Sequence, residues 1–390
     1  MHRWGENMKV LVLPSWYPTV DYPNNGSFFK EQTKALQDSG VNVEILVIDI
    51  PYRGTKNRFK YFKENVYIED GIKIHRYVFP VGILHRFHRL YYLFLKIVAL
   101  RIYRKKFSEN KIDILMAHSF FIGGFVANTI GKYSGIKNIT VEHSSKILLN
   151  KLNKVEKRIL SEVVNSSDKF VCVSNNLKEK VESTIGKLKK DNVLVNPNMV
   201  RNIFYIGDKT KEAFIFSSVG NLIPLKNMDK LIKGFILSFE QDDKVLLNIV
   251  GDGPERKKLE HIIVENNREH QIKLLGSLSR RSVADVLSKS HAMALISKIE
   301  TFGISYVEAL MSGNIIIASK NGGSDDIVNN SNGIFVDKNS IPSIADGLRS
   351  IYKNYDNYNI EEIRNNANKK YSEATFSGYY KSLFQSLISG

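Results

Sequence analysis

The chain has one cysteine among its 390 residues, Cys172, within the apolar run Phe170–Val173. A single cysteine excludes an intrachain disulfide and indicates a reducing compartment. A buried, inert thiol is a more ordinary interpretation of this position than a nucleophile. No uninterrupted apolar run approaches the roughly 20 residues needed to cross a bilayer as a helix. Residues 1–7 lack the apolar core of a signal peptide, and we expect a ragged leader before a first strand that begins at Met8.

The net charge of +16 is spread unevenly along the chain. Residues 1–200 contain 32 Lys and Arg against 18 Asp and Glu, whereas residues 201–390 contain 24 against 22. Residues 51–111 alone contain 15 against 4. A basic half beside a nearly neutral half suggests that one domain meets an anionic surface or ligand.

Apolar strand-like runs alternate with helix-like segments in two successive series, a pattern typical of parallel sheets covered on both faces. The first series comprises Lys9–Leu13, Val43–Ile48, Ile112–Ala117, Ile139–Val141, Phe170–Val173 and Val193–Val195. The second comprises Phe214–Val219, Val245–Val250, Ile272–Leu275, Ala292–Ser297, Ile315–Ser319 and Ile334–Val336. Pro197 and its polar neighbours interrupt the pattern and predict a boundary within residues 196–204. The sequence therefore predicts two doubly wound α/β domains, with a ligand cleft beyond the carboxyl ends of their strands.

The most informative segment is Glu300–Glu308, where two carboxylates stand eight positions apart. A helix is predicted over Ile304–Met311, so Glu300 should lie in the loop at the helix mouth and Glu308 on the helix body. Backbone N–H groups around Phe302–Ile304 would form an anion site at the helix N-terminus. Two carboxylates that bind hydroxyl groups, on either side of a phosphate site, suit a nucleotide sugar.

Two other loops follow the first strand of each series. The loop 14–27 ends in Asn25-Gly26-Ser27, which combines a flexible backbone with a good N-cap residue, Ser27. Its amides approach a phosphate, or it is an ordinary long connection. Lys226 stands just before a helix that should begin near Asn227, where a cation is unfavourable unless an anion binds there too. It is therefore either a diphosphate clamp or a solvated surface lysine.

Two glycine-containing turns follow later strands of the second series. The turn from Gly251 to Pro254 either lines a base pocket or is purely structural, and Pro254 suits the first position of a helix. The segment Asn321–Val328 is expected to open another helix. Its two acids, Asp325 and Asp326, are more simply partners of the helix dipole than metal ligands.

Two histidines of the first series are expected at the ends of strands. His118 follows the run Ile112–Ala117, and His143 follows Ile139–Val141. An imidazole at such a place can bind a sugar hydroxyl or move a proton. The alternative is a structural histidine.

Together these residues resemble glycosyltransferase family 4, the retaining nucleotide-sugar glycosyltransferases of the GT-B fold. The resemblance rests on the Glu300 and Glu308 pair, on Lys226 in its Gly-x-Leu-x3-Lys-Asn context, and on later motifs in the family's order. Those motifs are Gly251-Asp-Gly-Pro, Gly322-Gly323 and Asn332-Gly333. The opening Ser15-Trp-Tyr-Pro with Asn25-Gly26-Ser is similar to that of bacterial members that build surface polysaccharides.

The resemblance implies the GT-B fold, in which two doubly wound parallel-sheet domains face each other across a cleft. Residues 1–203 would form the acceptor-side domain and residues 204–372 the donor domain. Residues 373–390 would form a helix that returns to the first domain.

The resemblance also assigns roles to the side chains. Lys226 would hold the donor diphosphate and Glu300 the hydroxyls of the donor sugar, and both would act in catalysis with His143, near the reacting sugar. Glu308 would hold the ribose hydroxyls. The implied donor side comprises Gly26, Asn221, Lys226, Gly251, Glu300, Thr301, Phe302, Gly303, Ile304 and Glu308. The implied acceptor side comprises Asn25, Ser27, His118 and His143.

Asn221 departs from the family pattern, because many members have an arginine there. Arg280 or Arg281 could replace the missing cation, and the sequence leaves this open. Asp326 stands where many members have a glutamate, which is a mild change. Lys226 and the helix amides would stabilise the leaving diphosphate in place of a metal ion, so no cofactor is expected besides the nucleotide sugar, a UDP-sugar. Retention would follow from attack on the leaving-group face, with the departing phosphate taking the acceptor proton.

Basic and bulky apolar residues are mixed over residues 85–106. This mixture is typical of a helix that lies on an anionic bilayer, near a lipid-linked acceptor. The alternative is a core helix with a solvated basic face.

We therefore expect a hexosyl- or N-acetylhexosaminyl-transferase of bacterial polysaccharide or glycolipid synthesis, cytoplasmic and peripheral on the inner face of the cell membrane. Its acceptor would be lipid-linked or a glycan. The alternatives are an epimerase or hydrolase of the same fold and a non-catalytic protein that binds an anionic polymer. A nucleic-acid binder, suggested by a pI near 9.5, leaves the paired glutamates unexplained.

Overall fold

The computed structural model of the chain describes residues 8–19, 22, 25–50, 62–186, 188 and 191–389. The expected leader, residues 1–7, lies outside the described residues, as do residues 20–21 and 23–24 of the loop after the first strand. The chain divides into two compact units. Unit 1 comprises Met1–Pro197 and Glu373–Gly390, and unit 2 comprises Asn198–Ser372.

Unit 1 is built on an eight-stranded sheet. Its strands are β1 (Lys9–Pro14), β2 (Asn42–Asp49), β3 (Lys63–Glu69), β4 (Ile72–Val78), β5 (Ile114–His118), β6 (Lys137–Glu142), β7 (Lys169–Cys172) and β8 (Val193–Val195). Their order in the sheet is β3-β4-β2-β1-β5-β6-β7-β8. The edge strand β3 pairs antiparallel with β4, and the other pairings of these strands are parallel.

Helices pack against this sheet between the strands. They are α1 (Ser27–Asp38), α2 (His88–Lys106), α3 (Phe125–Ser134), α4 (Ser145–Leu148), α5 (Lys154–Ser166) and α6 (Asn175–Ile185). A π-helical turn, Phe120–Gly124, leads into α3. The central strands contain mostly apolar residues, as is typical of buried parallel strands, and every residue of β5 is buried.

Unit 2 is built on a six-stranded sheet whose pairings are all parallel. The strands are β9 (Phe214–Val219), β10 (Val245–Val250), β11 (Ile272–Gly276), β12 (Ala292–Leu295), β13 (Ile315–Ala318) and β14 (Gly333–Phe335), in the order β11-β10-β9-β12-β13-β14. The helices are α7 (Met228–Ser238), α8 (Arg256–Glu265), α9 (Arg280–Lys289), α10 (Ile304–Met311), α11 (Ile341–Lys353) and α12 (Ile360–Tyr371).

The last helix, α13 (Glu373–Ser389), belongs to unit 1. The hydroxyl of Ser377 donates to the carbonyl oxygen of Ala35 at 3.0 Å, and the ammonium of Lys381 donates to that of Ser39 at 2.8 Å. Phe384 is fully buried on the same helix. These contacts attach α13 to the end of α1.

The predicted fold class, two doubly wound parallel-sheet units, is confirmed, and each predicted strand run overlaps an observed strand. Strands β3 and β4 were not predicted. Both alternate or expose polar residues, and β3 is an exposed edge strand, so neither contains the continuous apolar run that marks a buried parallel strand.

Three local predictions were wrong. Gly26, in the left-handed conformation, is the N-cap of α1, and Ser27 is its first residue. Helix α8 begins at Arg256, so Pro254 lies in the preceding turn. The segment after Asn321 forms only a short 3-10 turn, Ser324–Asp326, because the chain enters β14 at Gly333.

The substitution Phe384→Ala tests how α13 is held. Removing a fully buried phenyl ring should lower the free energy of unfolding of unit 1 by about 3–5 kcal/mol. Trp16 belongs to unit 1, and the sequence of unit 2 contains no tryptophan, so tryptophan fluorescence in urea follows unit 1. The matched control is Ile388→Ala, which removes a half-exposed side chain of the same helix and should change stability by no more than about 0.5 kcal/mol. Equal effects of the two substitutions would contradict the docking of α13.

Candidate functional site

The loops of unit 2 that carry the predicted donor residues lie at one edge of its sheet. Strands β9, β10, β12 and β13 run in the same direction, so their carboxyl ends share an edge, the usual place of a ligand site in such sheets. The loops that follow these strands span residues 219–226, 250–254, 296–303 and 319–323.

Lys226 and Glu300 meet at this edge. Lys226 closes the 3-10 turn Pro224–Lys226, and its ammonium lies 2.5 Å from Oε1 of Glu300. The two side chains are 19% and 12% exposed. Removing either would leave a partly buried charge without its counter-ion, which is costly. The prediction of Lys226 as a solvated surface lysine is therefore wrong.

Backbone bonds hold the loop that carries Glu300. The N–H of Glu300 donates to the carbonyl oxygen of Asn321 at 3.0 Å, so this loop extends the sheet by a parallel bridge to Gly322. The ammonium of Lys338 donates to the carbonyl oxygens of Lys298 and Lys320 at 3.0 and 2.9 Å. The loops after β12 and β13 are thereby joined at their bases.

Helix α10 begins directly behind Glu300. Gly303 is its N-cap with φ of +90°, and a Cβ there would lie 2.5 Å from the ring of Tyr306. Tyr306 is fully buried; its hydroxyl donates to the carbonyl oxygen of Leu295 at 2.8 Å and accepts from the Asn321 amide at 2.9 Å. The start of α10 is therefore held in place by Tyr306, a buried residue of the same helix. The first N–H groups of α10 lie at the positive end of the helix dipole, and the anion site expected there stays a prediction.

The side chains of Thr301, Phe302 and Ile304 differ in their surroundings. Phe302 is buried, and its ring packs against Tyr371 with centroids 5.8 Å apart, so it presents its backbone rather than its ring to the edge. Thr301 and Ile304 are half-buried.

Glu308 lies on the body of α10, as predicted, but it is almost completely buried. Its carboxylate accepts from the guanidinium of Arg280 at the start of α9. Arg280 also stacks over the ring of Phe204 at 5.7 Å. Arg280, one of the two residues considered as a replacement for the cation missing at Asn221, is therefore the partner of Glu308. Asn221 and Arg281 are both exposed.

A glycine is required at position 251 because another part of the protein's own backbone lies close to it. Its φ is +136°, and a Cβ would lie 2.0 Å from the carbonyl oxygen of Gly220. The turns after β9 and β10 also bond directly, since the N–H of Leu222 donates to the carbonyl oxygen of Asp252 at 2.9 Å. The structural interpretation of this turn accounts for the glycine without a ligand.

The two histidines of unit 1 are adjacent. His118 ends β5 and His143 follows β6, with His118 Nδ1 3.3 Å from His143 Nε2. His118 is fully buried and stacks on Phe29 with centroids 4.6 Å apart. Among the described residues, no hydrogen-bond partner of its Nε2 is found. Having no exposed surface, His118 can influence a ligand only through His143.

The first turn of α1 lies against His143. The rings of Phe28 and Phe29 both contact its imidazole edge-on at 5.1 Å. Gly26 is buried beside Trp16, Ser27 is half-buried and Asn25 is exposed. The Asn25-Gly26-Ser27 segment is thus brought near His143 by the aromatic residues that follow it.

Sequence reasoning missed several residues that shape these sites. Glu142, immediately before His143, is a fully buried carboxylate. Arg280 was considered only as a diphosphate cation, and Tyr306 and Asn321 as parts of a helix and a turn. A single glutamate at the end of an apolar strand was the signal available for Glu142. Within the described residues, no group of three or more His, Cys, Asp or Glu side chains is placed to hold a metal ion.

Comparison with known proteins identifies the fold and the family. The family model described as Glycosyltransferase Family 4 matches residues 26–201, and the model described as Glycosyl transferases group 1 matches residues 200–371. An uncharacterized glycosyltransferase of Methanocaldococcus jannaschii is 27% identical over 362 residues, 92% of this chain and 90% of that protein. One component of the human phosphatidylinositol N-acetylglucosaminyltransferase is 26% identical over 293 residues, 72% of this chain but only 57% of the human protein.

A solved structure of the Anabaena protein HepE in complex with UDP and glucose has a TM-score of 0.72 at 16% identity, and covers 97% of this chain and 100% of that chain. Such a likeness defines the fold, that of the GT-B glycosyltransferases. The two family models together extend from residue 26 to residue 371, and the chain belongs to glycosyltransferase family 4. The resemblance found in the sequence is thereby confirmed, and the protein is a glycosyltransferase.

The buried His118 makes unit 1 sensitive to acid. Burial lowers the pKa of His118 to about 3, whereas an unfolded histidine titrates near pH 6.5. Between these values the unfolded chain binds a proton that the folded chain does not. His118 should therefore reduce stability by about 1.4 kcal/mol per unit as the pH falls from about 6.5 towards 3.

Urea unfolding of wild type and His118→Gln at several pH values, followed by tryptophan fluorescence, measures this slope. Over that pH range, the slope of the unfolding free energy against pH should be smaller in the variant by the amount that one bound proton contributes, about 1.4 kcal/mol per pH unit. His88→Gln, at an exposed position of α2, is the control and should keep the wild-type slope. Identical slopes for His118→Gln and wild type would show that His118 is not held neutral.

Proposed function

We propose that the protein is a retaining glycosyltransferase that moves a hexosyl or N-acetylhexosaminyl group from a UDP-sugar to a hydroxyl of a membrane-associated or glycan acceptor. The observation that carries the proposal is the Lys226–Glu300 pair at the mouth of α10. A cation, a carboxylate and a helix N-terminus at one strand edge meet the needs of a diphosphate joined to a sugar.

On the donor side, each group has a separate task. Lys226 and the first N–H groups of α10 bind the diphosphate and stabilise the charge that develops on it as it leaves. Glu300 accepts hydrogen bonds from sugar hydroxyls, and Glu308, held by Arg280, accepts from the ribose. The likeness to a structure with bound UDP and glucose supports this donor class.

Retention of the anomeric configuration is proposed because Glu300 is paired with Lys226. Its carboxylate is bound to an ammonium group, which makes it a weak nucleophile and a good acceptor of hydroxyl hydrogen bonds. The acceptor hydroxyl then attacks on the face from which the diphosphate leaves, and a phosphate oxygen takes its proton. His143 binds the reacting sugar, and His118 supports its imidazole.

The acceptor is proposed to lie at a membrane, as part of bacterial polysaccharide or glycolipid synthesis on the inner face of the cell membrane. The name of the human relative, a phosphatidylinositol N-acetylglucosaminyltransferase, supports a lipid acceptor and an N-acetylhexosamine donor. None of the helices formed by the described residues has the length and hydropathy of a membrane span.

The outward side of α2 supports contact with an anionic bilayer. We call this side, together with the 3-10 turn Gly82–Arg86 and Phe87 that precede the helix, the α2 face. Its apolar members, each more than half exposed, are Ile83, Phe87, Leu90, Leu93 and Ile97. Its exposed cationic members are Arg86, Arg89, Lys96, Arg101, Arg104 and Lys105. Tyr91, Leu95 and Ile102 bury the opposite side of the helix. Apolar side chains for the acyl boundary and cations for lipid phosphates thus share one surface.

Charge along the chain strengthens this interpretation. Residues 71–108 contain nine Lys and Arg and no Asp or Glu. A solvated face designed only for solubility usually mixes both signs of charge. The prediction of α2 as a core helix with a solvated basic face does not explain why large apolar side chains lie among the cations.

The substitution Glu300→Ala tests the donor site. Loss of the sugar-binding carboxylate, with Lys226 left unpaired, should lower turnover by at least about 100-fold while the fold is kept. The measurement is release of UDP and incorporation of labelled sugar from a panel of UDP-sugars, after thermal-shift binding has selected the donor. Glu260→Gln, which breaks an ion pair on α8, is the control and should retain wild-type rates.

Different outcomes distinguish the alternatives. Wild-type turnover in Glu300→Ala would refute the site. UDP release without transfer to any acceptor would indicate a hydrolase or an epimerase, and donor binding without release would indicate a non-catalytic protein. Product with an inverted anomeric centre, measured by NMR, would refute retention.

The α2 face is tested by flotation with vesicles of phosphatidylcholine alone or mixed with phosphatidylglycerol. Wild type should bind only the anionic vesicles. The double substitution Arg89→Gln and Lys96→Gln should weaken binding by about 2 kcal/mol, since each cation near such a surface adds about 1 kcal/mol. Lys132→Gln, on α3, is the control. Binding that does not depend on anionic lipid would refute the proposed contact of the α2 face with an anionic bilayer.

A further inference from the structure

Glu142 is a fully buried carboxylate with no part in the reaction described so far. It ends β6 and directly precedes His143. Burying a carboxylate is costly unless hydrogen bonds compensate for the lost water. Such a residue therefore needs a structural or functional reason.

Four donors from two loops surround the Glu142 carboxylate. Its Oε1 accepts from the hydroxyl of Ser119 at 3.1 Å and from the N–H groups of His143 and Ser144 at 3.0 and 2.7 Å. Its Oε2 accepts from the N–H of Phe120 at 2.8 Å. Ser119 and Phe120 follow β5, whereas His143 and Ser144 follow β6. The carboxylate thus joins the loop that follows His118 to the loop that carries His143.

The loop after β5 contains an uncommon backbone conformation that such hydrogen bonds stabilise. Ser119 has φ of +63°, an uncommon conformation for a residue with a side chain. It persists when its surroundings hold it from several sides. Here the Glu142 carboxylate accepts from its hydroxyl, the hydroxyl of Ser15 donates to its carbonyl oxygen at 3.0 Å, and its N–H donates to the carbonyl oxygen of Val141 at 2.7 Å.

We propose that Glu142 is the positioning residue of His143. By binding the N–H groups of residues 143 and 144 together with the loop after β5, it sets where the His143 imidazole stands relative to His118. The inference rests on the part proposed above for His143 in binding the reacting sugar.

The ionised carboxylate suits this task better than an amide. Burial raises the pKa of Glu142, and its four hydrogen bonds oppose that rise. All four neighbouring groups donate, so each oxygen must accept. The substitution Glu142→Gln replaces one accepting oxygen with an NH2 group that faces another donor, which loosens one of the two loops.

The experiment compares wild type, Glu142→Gln, His143→Ala and the double variant in the sugar-transfer assay. Glu142→Gln should lower kcat about 10- to 100-fold, by analogy with groups that orient metal-binding side chains, and leave the KM for the donor nucleotide sugar within about twofold. In the His143→Ala background, it should lower kcat by less than about twofold, because the group it positions is gone.

A second substitution and a control keep the result interpretable. Ser119→Ala removes one of the four donors and should produce a smaller loss with the same dependence on His143, even if Glu142→Gln folds poorly. Glu44→Gln alters another buried glutamate of unit 1, which bonds His75 at 2.9 Å, and should leave kcat within about twofold. Amide exchange of residues 119–124 and 142–145 should speed up in Glu142→Gln but not in Glu44→Gln.

If Glu142→Gln and Ser119→Ala each lowered kcat by the same factor in the His143→Ala background as in wild type, their role would be merely structural. That result would overturn the inference. A wild-type kcat in Glu142→Gln would overturn it as well. Wild-type kcat in His143→Ala would instead remove the part proposed for His143, and that result is read from the single variant alone.

Discussion

The parallel direction of the central strands is the constraint on which the sites depend. Because β9, β10, β12 and β13 point the same way, the loops after them meet at one edge, and residues far apart in the chain become neighbours. Lys226 and Glu300 are 74 positions apart and still form an ion pair. In unit 1 the same rule places His118 beside His143, at the ends of adjacent strands.

A second theme is that each carboxylate proposed to act in these sites has a fixed partner. Lys226 holds Glu300, Arg280 holds Glu308, and backbone N–H groups with Ser119 hold Glu142. A carboxylate in a protein interior is costly without such partners, and with them its orientation is set before a ligand arrives. Such pre-set carboxylates suit the recognition of hydroxyl groups that is proposed for the donor site.

Much of the fold and part of the site could be predicted from sequence. Buried parallel strands read as continuous apolar runs, and α10 has the predicted bounds because clear turn residues flank it. Strands β3 and β4 were missed because exposed residues interrupt them. The partners of Glu308 and Glu142 were missed because a contact between distant segments has no local pattern.

The sequence by itself determined the two-unit α/β organisation, the family motifs and the concentration of basic residues in one half, since periodicity, spacing and charge are properties of the chain. Only the tertiary structure decided that Lys226 pairs with Glu300, that Arg280 is taken by Glu308, and that His118 is buried behind His143. It also decided that the apolar and basic residues of α2 share its exposed side. The physical reason is that burial and pairing depend on which segments the sheets bring together, and separation along the chain does not encode that distance.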